Sequence, residues 1–174
     1  MTKDAEKFVE SKLLSYRLEL ESILNGGDIS QYNYCEFIHN RSIYEVHDKN
    51  YENRLRIALA LWYMSDGLDV EFLTVTLLNE EIKYLENSPC GGTSRTLFLL
   101  LMKLLEYKKS LFRELFKRAR NANMDCFFEC DIDVLKKSSK RLSDWHMDDW
   151  DYIFELLNDE ISQKIFKNLE KSKE

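Results

Sequence analysis

Apolar residues return along this chain at intervals of three and four, the spacing of one face of an α-helix. From about residue 4, Val9, Leu13, Tyr16, Leu20, Ile23 and Leu24 share such a face, and Gly26-Gly27 ends the run. Residues 30–47 are aromatic and polar with weaker periodicity; Tyr32, Cys35, Phe37 and Ile38, then Ile43, Tyr44 and Val46, read as one or two short helices. From Tyr51, the positions Leu55, Ala58, Leu59, Trp62 and Tyr63 form a wide stripe that stops at Asp66-Gly67. After Asp69, Val70, Leu73, Val75, Leu77, Leu78, Ile82 and Leu85 predict a helix closed by Asn87-Ser88-Pro89-Cys90-Gly91-Gly92, the firmest breaker in the chain. The next helix opens at Thr93 or Ser94 and is expected to reach about Asn121, with Leu97 to Met102 apolar on all sides and therefore central to the core. Residues 121–133 read as a loop packed through Phe127 and Phe128. Two closing helices are expected at 143–158 and 159–171, with a short one near Val134 before them.

Composition agrees with long elements. Five glycines and one proline in 174 residues leave too few turns for a sandwich or barrel, while 44% apolar and 13% aromatic content argue for a folded core. The expectation is a single all-α domain over residues 1–174, six to eight helices in an irregular bundle or a short solenoid-like stack. The longest uninterrupted apolar run, Ile57 to Met64, is eight residues, whereas a membrane-spanning helix needs ~20. The charged start carries no apolar signal segment, which places the protein in the cytoplasm, and four cysteines there are expected as reduced thiols.

Charge changes the picture more than composition does. The net charge is −6, which disfavours general nucleic-acid affinity and favours a basic partner. Residues 61–90 hold six carboxylates and one lysine; residues 91–120 hold eight basic side chains and two acids; residues 143–160 hold seven acids and no Lys or Arg. Two acidic blocks therefore flank a basic one. Either opposite signs pair within the molecule or the acidic blocks face a partner.

Four groupings bear on chemistry. Cys35 and His39, with Cys126 and Cys130, are two pairs at four-residue spacing that together would make a three-sulfur, one-imidazole zinc set; core thiols account for them better, and no metal or cofactor is expected. Arg41 and His47 fit the loose spacing of HEPN-type helical ribonucleases, a resemblance that would imply metal-independent RNA cleavage. Here Ser42 follows the arginine where that pattern has a polar Asn, Asp or His. The basic stretch from Lys103 to Arg120 would suit an RNA-binding helix, but Tyr107, Phe112 and Phe116 share their spacing with leucines and read as core. No phosphate-binding glycine loop, His-Glu-x-x-His pair or nucleophile elbow is present, so no catalytic residue is assigned.

The fourth grouping lies in residues 143–160, where Ser143 suits an N-cap and Leu142 and Met147 a hydrophobic staple. Trp150, Ile153, Phe154, Leu157 and Ile161 then take the core side, and Trp145, Asp148, Asp149, Tyr152, Glu155 and Asp159 the opposite one. Aromatics among acids on an outward face are the composition of an interface centre; equally, acids suit a helix N-terminus and Trp145 would then fold back on the preceding loop. Glu80 and Glu81, in the other acidic block, are the second place where a partner would dock. The acidic all-helical character, the stretch Leu111-Phe-Arg-Glu-Leu-Phe-Lys-Arg-Ala-Arg-Asn-Ala-Asn-Met-Asp-Cys126 and the acid-aromatic helix after it resemble helical immunity proteins of bacterial contact-dependent and polymorphic toxin systems, over the middle and last thirds of the chain. The resemblance implies a cytoplasmic, non-enzymatic protein that binds a cognate basic toxin domain, commonly a nuclease, without contacting nucleic acid or membrane itself. The alternatives are the HEPN-like ribonuclease and a helical adaptor with another protein partner.

Overall fold

The computed structural model describes residues 3–38, 46–88, 94–107 and 112–130, and its architecture is all-α. The helices expected beyond residue 130, together with His39 and Arg41, lie outside the described residues. Helix α1 (Lys3–Leu24) buries Leu13, Tyr16, Leu20 and Ile23 and stops at its glycines. The Gly27 N–H bonds the Ser22 carbonyl and the Gly26 N–H that of Ile23, both at 3.0 Å, with Gly26 at φ +94°. That left-handed position is why a glycine stands there.

Residues 30–47 depart from the expected short helices. A 3-10 turn (Ser30–Tyr32) is followed by strand β1 (Glu36–Ile38), which pairs antiparallel with β2 (Val46–Asp48) in the register Glu36 to Asp48, Phe37 to His47 and Ile38 to Val46. Strands of three residues are too short to show an alternating pattern, and their ends are fixed from elsewhere. Asp48 Oδ1 accepts from the Cys35 and Asn50 backbone N–H groups at 3.0 Å each, which clamps the ribbon to the start of the next helix.

Helices α2 (Tyr51–Tyr63) and α3 (Glu71–Glu86) fall where the stripes place them, separated by a turn with Gly67 at φ +78°. Helix α4 (Arg95–Glu106) is capped by Ser94, whose Oγ accepts from the Leu97 N–H at 2.9 Å. It buries Leu97, Leu99, Leu100, Leu101, Met102 and Leu104, as a helix apolar on nearly every side must. Helix α2 packs against both α1 and α4, and α3 against α2 and α4, so these four form a bundle around one apolar cluster rather than a stack of pairs.

The long helix expected through Asn121 is two elements. After α4, helix α5 (Arg113–Arg120) turns against α3 and buries Phe116 and Ala119, with Phe112 also buried just before it. No Gly or Pro stands between them, while the apolar surface narrows from nearly all sides of α4 to one stripe of α5. Residues 121–133 likewise do not stay a loop throughout. Asn123 caps helix α6 (Met124–Glu129), which turns Cys126 and Cys130 inward while Phe127 and Phe128 remain exposed.

Replacing a central α4 leucine should leave a cavity, whereas a leucine on the outer face of α1 has little to lose. Leu100→Ala is expected to cost about 2 to 5 kcal/mol in urea unfolding, and Leu18→Ala, on a side chain 60% exposed, to stay within about 0.5 kcal/mol.

Candidate functional site

The densest cluster of charge in the described residues is inside the molecule. Arg54 shares its face of α2 with Ala58 and Leu61, and Glu81 shares its face of α3 with Leu77, Leu78 and Leu85, so both charges occupy core positions. The side chains of Arg54, Asp48 and Glu81 are each 0% exposed. Arg54 Nε donates to Glu81 Oε2 at 2.8 Å, Nη1 donates to the Tyr32 carbonyl at 3.3 Å, and Nη2 meets Asp48 Oδ2. The Ser94 hydroxyl donates to the second Glu81 oxygen while capping α4. One arginine thus joins α2, α3, β2 and the 3-10 turn, and Ser94 adds α4.

Burial alone would favour neutral Arg54, but Glu81 and Asp48 outweigh it and raise its pKa. Burial raises the Glu81 carboxyl above its ordinary value, against the opposing pull of Arg54 and Ser94. Two carboxylates against one guanidinium leave a surplus negative charge in a dry site, which works in the same direction on Glu81 as its burial. Tyr84 stacks at a tilt between Tyr34 and Tyr51, with centroids 6.3 and 5.9 Å away. Burial, then Glu81, pushes the Tyr51 hydroxyl up to about 12. Closed to solvent on its charged atoms, the cluster is built to hold elements together rather than to meet a substrate.

This overturns the placement of Glu81 on an acidic outer surface, because it is an interior ion-pair partner. Glu80 is corrected in part. Its side chain is 14% exposed, and its carboxylate accepts the Tyr34 backbone N–H at 2.8 Å and pairs with Lys83. Trp145, Asp148, Asp149, Tyr152, Glu155 and Asp159 lie outside the described residues.

The acidic and basic blocks do meet within the molecule. Arg118 of α5 forks onto Glu86 of α3 with contacts of 2.8 and 2.7 Å and reaches Asn79 at 3.2 Å. The Arg118 hydrogen bond lowers the Glu86 pKa. Phe112 and Phe116 of the same basic stretch are buried, as core residues. Elsewhere, His47 stands on β2 opposite Phe37. Cys35 is exposed beside the ribbon and so is not a core thiol, whereas Cys126 on α6 and Cys130 at its C-terminal cap are buried. No three metal-ligating side chains gather among the described residues, and no described helix is long and apolar enough to cross a membrane.

A second feature faces outward. At the N-terminal end of α3, Val70 and Leu73 turn into the core and Phe72 turns away, 80% exposed. It borders a groove of about 470 Å³ lined by Asp69, Glu71, Phe72, Val75 and Phe112. Tyr107 packs edge-on to Phe112 with centroids 6.2 Å apart. Burial raises the Tyr107 pKa against an opposing pull from Thr74, and Glu106, Glu71 and Asp69 add to the rise. The groove sets an exposed aromatic beside two acids and an apolar floor of Val75 and Phe112. It escaped the sequence reading because Phe72 sits one position off the α3 stripe, where nothing local says which way the ring turns.

Comparison with protein-family models, with curated proteins and with solved structures finds no match. The site therefore rests on its own geometry.

Removing Arg54 should be far more damaging than its place among polar sequence neighbours suggests. Arg54→Ala leaves two buried carboxylates unpaired and is expected to cost about 3 to 5 kcal/mol by urea unfolding. Because the Glu81 pKa is raised on folding from 4.5, its contribution is full below that value and declines as pH rises through the folded pKa. The native protein should accordingly lose stability relative to Glu81→Gln as pH increases above 4.5; a difference independent of pH would contradict the assignment. Glu86, shifted downward, acts with the opposite sign and in a lower window.

Proposed function

We propose that this chain is a non-enzymatic binding protein of the immunity type, acting in the cytoplasm by docking on a cognate basic toxin domain, most plainly a nuclease, and neutralising it. The observation that carries the reading is Phe72, a large aromatic standing 80% exposed at an acidic, apolar-floored groove. Exposed aromatics encircled by polar groups are the usual energetic centres of protein interfaces, and negative potential around them steers a basic partner. The buried Asp48, Arg54 and Glu81 cluster supports it from the other side, since the most concentrated titratable groups are committed to the fold. The acid-aromatic face expected from the sequence of residues 144–159, with Trp145 and Tyr152 as anchors, is proposed as a second binding face. Neutralisation then follows from covering the substrate groove of a nucleic-acid-binding domain with a surface of the charge that groove attracts.

The test uses the protein encoded beside this one, its C-terminal domain purified in inactive form. Association should slow as salt rises, because charges more than ~10 Å apart are screened at about 0.1 M. Asp69→Asn with Glu71→Gln should lower the on-rate and leave the off-rate nearly unchanged. Phe72→Ala should raise the off-rate by about 30-fold, equivalent to about 2 kcal/mol, and should abolish protection of cells expressing the active toxin. Folded Phe72→Ala protein that binds and protects as before would overturn the groove as the docking face.

A further inference from the structure

We propose that the outward face of α6 is the seat of this chain's own C-terminal segment, with the apolar side of residues 150–161 laid across it. Those residues lie outside the described ones, so their pattern and the place where the described chain ends identify the occupant. Helix α6 turns its larger apolar side chains away from the molecule. Met124, Phe127 and Phe128 stand at spacings of three and four and share one face, and they are 75, 46 and 68% exposed. The inward side carries two small thiols instead, Cys126 and Cys130. Leaving two phenyl rings and a thioether in water forfeits more burial than leaving two thiols there would. Phe127 and Phe128 meet edge-on with centroids 5.5 Å apart, so their rings form one continuous surface. Single exposed apolar residues are ordinary; three large ones on a helix of less than two turns make a patch.

A complementary surface is present in the same chain. The sequence places Trp150, Ile153, Phe154, Leu157 and Ile161 on one side of a helix, and such a side requires another apolar surface to bury it. The described chain ends at the C-terminal cap of α6, so this segment is tethered beside the patch. At ~3.3 Å per residue the stretch between Cys130 and Trp150 is long enough to turn back. A tethered occupant acts at high effective concentration, an advantage that a second copy or a free partner lacks. Charge agrees in sign. Residues 143–160 hold seven acids and no Lys or Arg, and α5, which packs against α6, is basic in its last turn. The Arg120 guanidinium lies 4.4 Å from the centre of the Phe127 ring, at the border of the patch. Lys117 and Arg118 also hold Glu114 and Glu86, so charge is secondary to the apolar contact. Seated this way, the segment keeps Trp145 and Tyr152 on its far side.

The test is NMR of the ¹³C,¹⁵N-labelled full chain. Nuclear Overhauser contacts are expected from the Met124 methyl and the Phe128 ring to Trp150, Ile153 and Leu157. An isotope-filtered mixture of labelled and unlabelled chains should show none of them, because they arise within one chain. Amide exchange then reads the variants. Phe128→Glu puts a carboxylate where the segment would bury it, and should speed exchange at residues 150–161 about tenfold or more while α1 to α4 exchange as before. Phe128→Leu keeps the surface apolar and should change that exchange by less than about twofold. Absence of the contacts overturns the inference, and so does their appearance in the mixed sample, which makes the occupant a second copy. Exchange at residues 150–161 that ignores Phe128→Glu overturns it as well. Should Phe128→Glu not fold, the contacts in the native chain decide. Neither measurement involves a toxin, so the outcome is separate from that of the immunity reading.

Discussion

Arg54 is the point on which the described fold depends. A guanidinium with no exposed surface cannot be left without partners, because the cost of stripping its water must be met by carboxylates placed to within hydrogen-bond distance. Meeting that demand fixes four separate pieces of chain at once. Asp48 comes from the second strand, Glu81 from the middle of α3, the Tyr32 carbonyl from the 3-10 turn, and Ser94 reaches Glu81 from the cap of α4. The hydrophobic cluster would tolerate many small sliding motions of these elements. The polar cluster does not, since each of its contacts has a direction as well as a distance. Apolar burial supplies most of the drive to collapse, and the ion network selects the arrangement into which the bundle collapses.

The ribbon shows how far this selection reaches. Three-residue strands have little stability of their own, as isolated two-stranded pairs are marginal even at greater length. Here the ribbon's base is tied by Asp48 to Cys35 and Asn50, by Glu80 to the Tyr34 N–H, and by Asn50 Nδ2 to the Asn33 carbonyl at 2.8 Å. Long-range polar bonds replace local propensity, which explains why periodicity in residues 30–47 is weak. Helices α1 to α4 were legible for the opposite reason: their stripes, the Gly26-Gly27 stop, the Asp66-Gly67 turn and the Ser94 cap are all local signals. The separation of α4 from α5 was not legible, because no breaker residue stands between them.

The candidate site was legible only in its charge. Sequence located an acidic block over residues 61–90, but it could not say which acids face inward. One signal was present and went unread: Arg54 and Glu81 each interrupt a core stripe at a position where every neighbour on the same face is apolar. Two opposite charges on core faces of consecutive helices are most simply partners. Phe72 gave no such warning. A ring adjacent to Leu73 and one step off the stripe can turn inward or outward, and local sequence does not make that choice.

The block's six acids divide between the two ends of α3 and its approach. Glu80, Glu81 and Glu86 all lie in the C-terminal half of α3, and each is engaged: Glu80 by Tyr34 and Lys83, Glu81 by Arg54 and Ser94, Glu86 by Arg118. Asp66, Asp69 and Glu71 lie at the other end, on the approach to the helix and in its first turn. The helix dipole favours carboxylates there, so an acidic N-terminus needs no partner to justify it. What the dipole does not explain is a phenyl ring left in water among them, since exposing it forfeits burial that a polar residue at the same position would not. The acids have a structural reason to be at this end of α3, and Phe72 does not. It is therefore the ring, more than the charge around it, on which the proposed docking face rests.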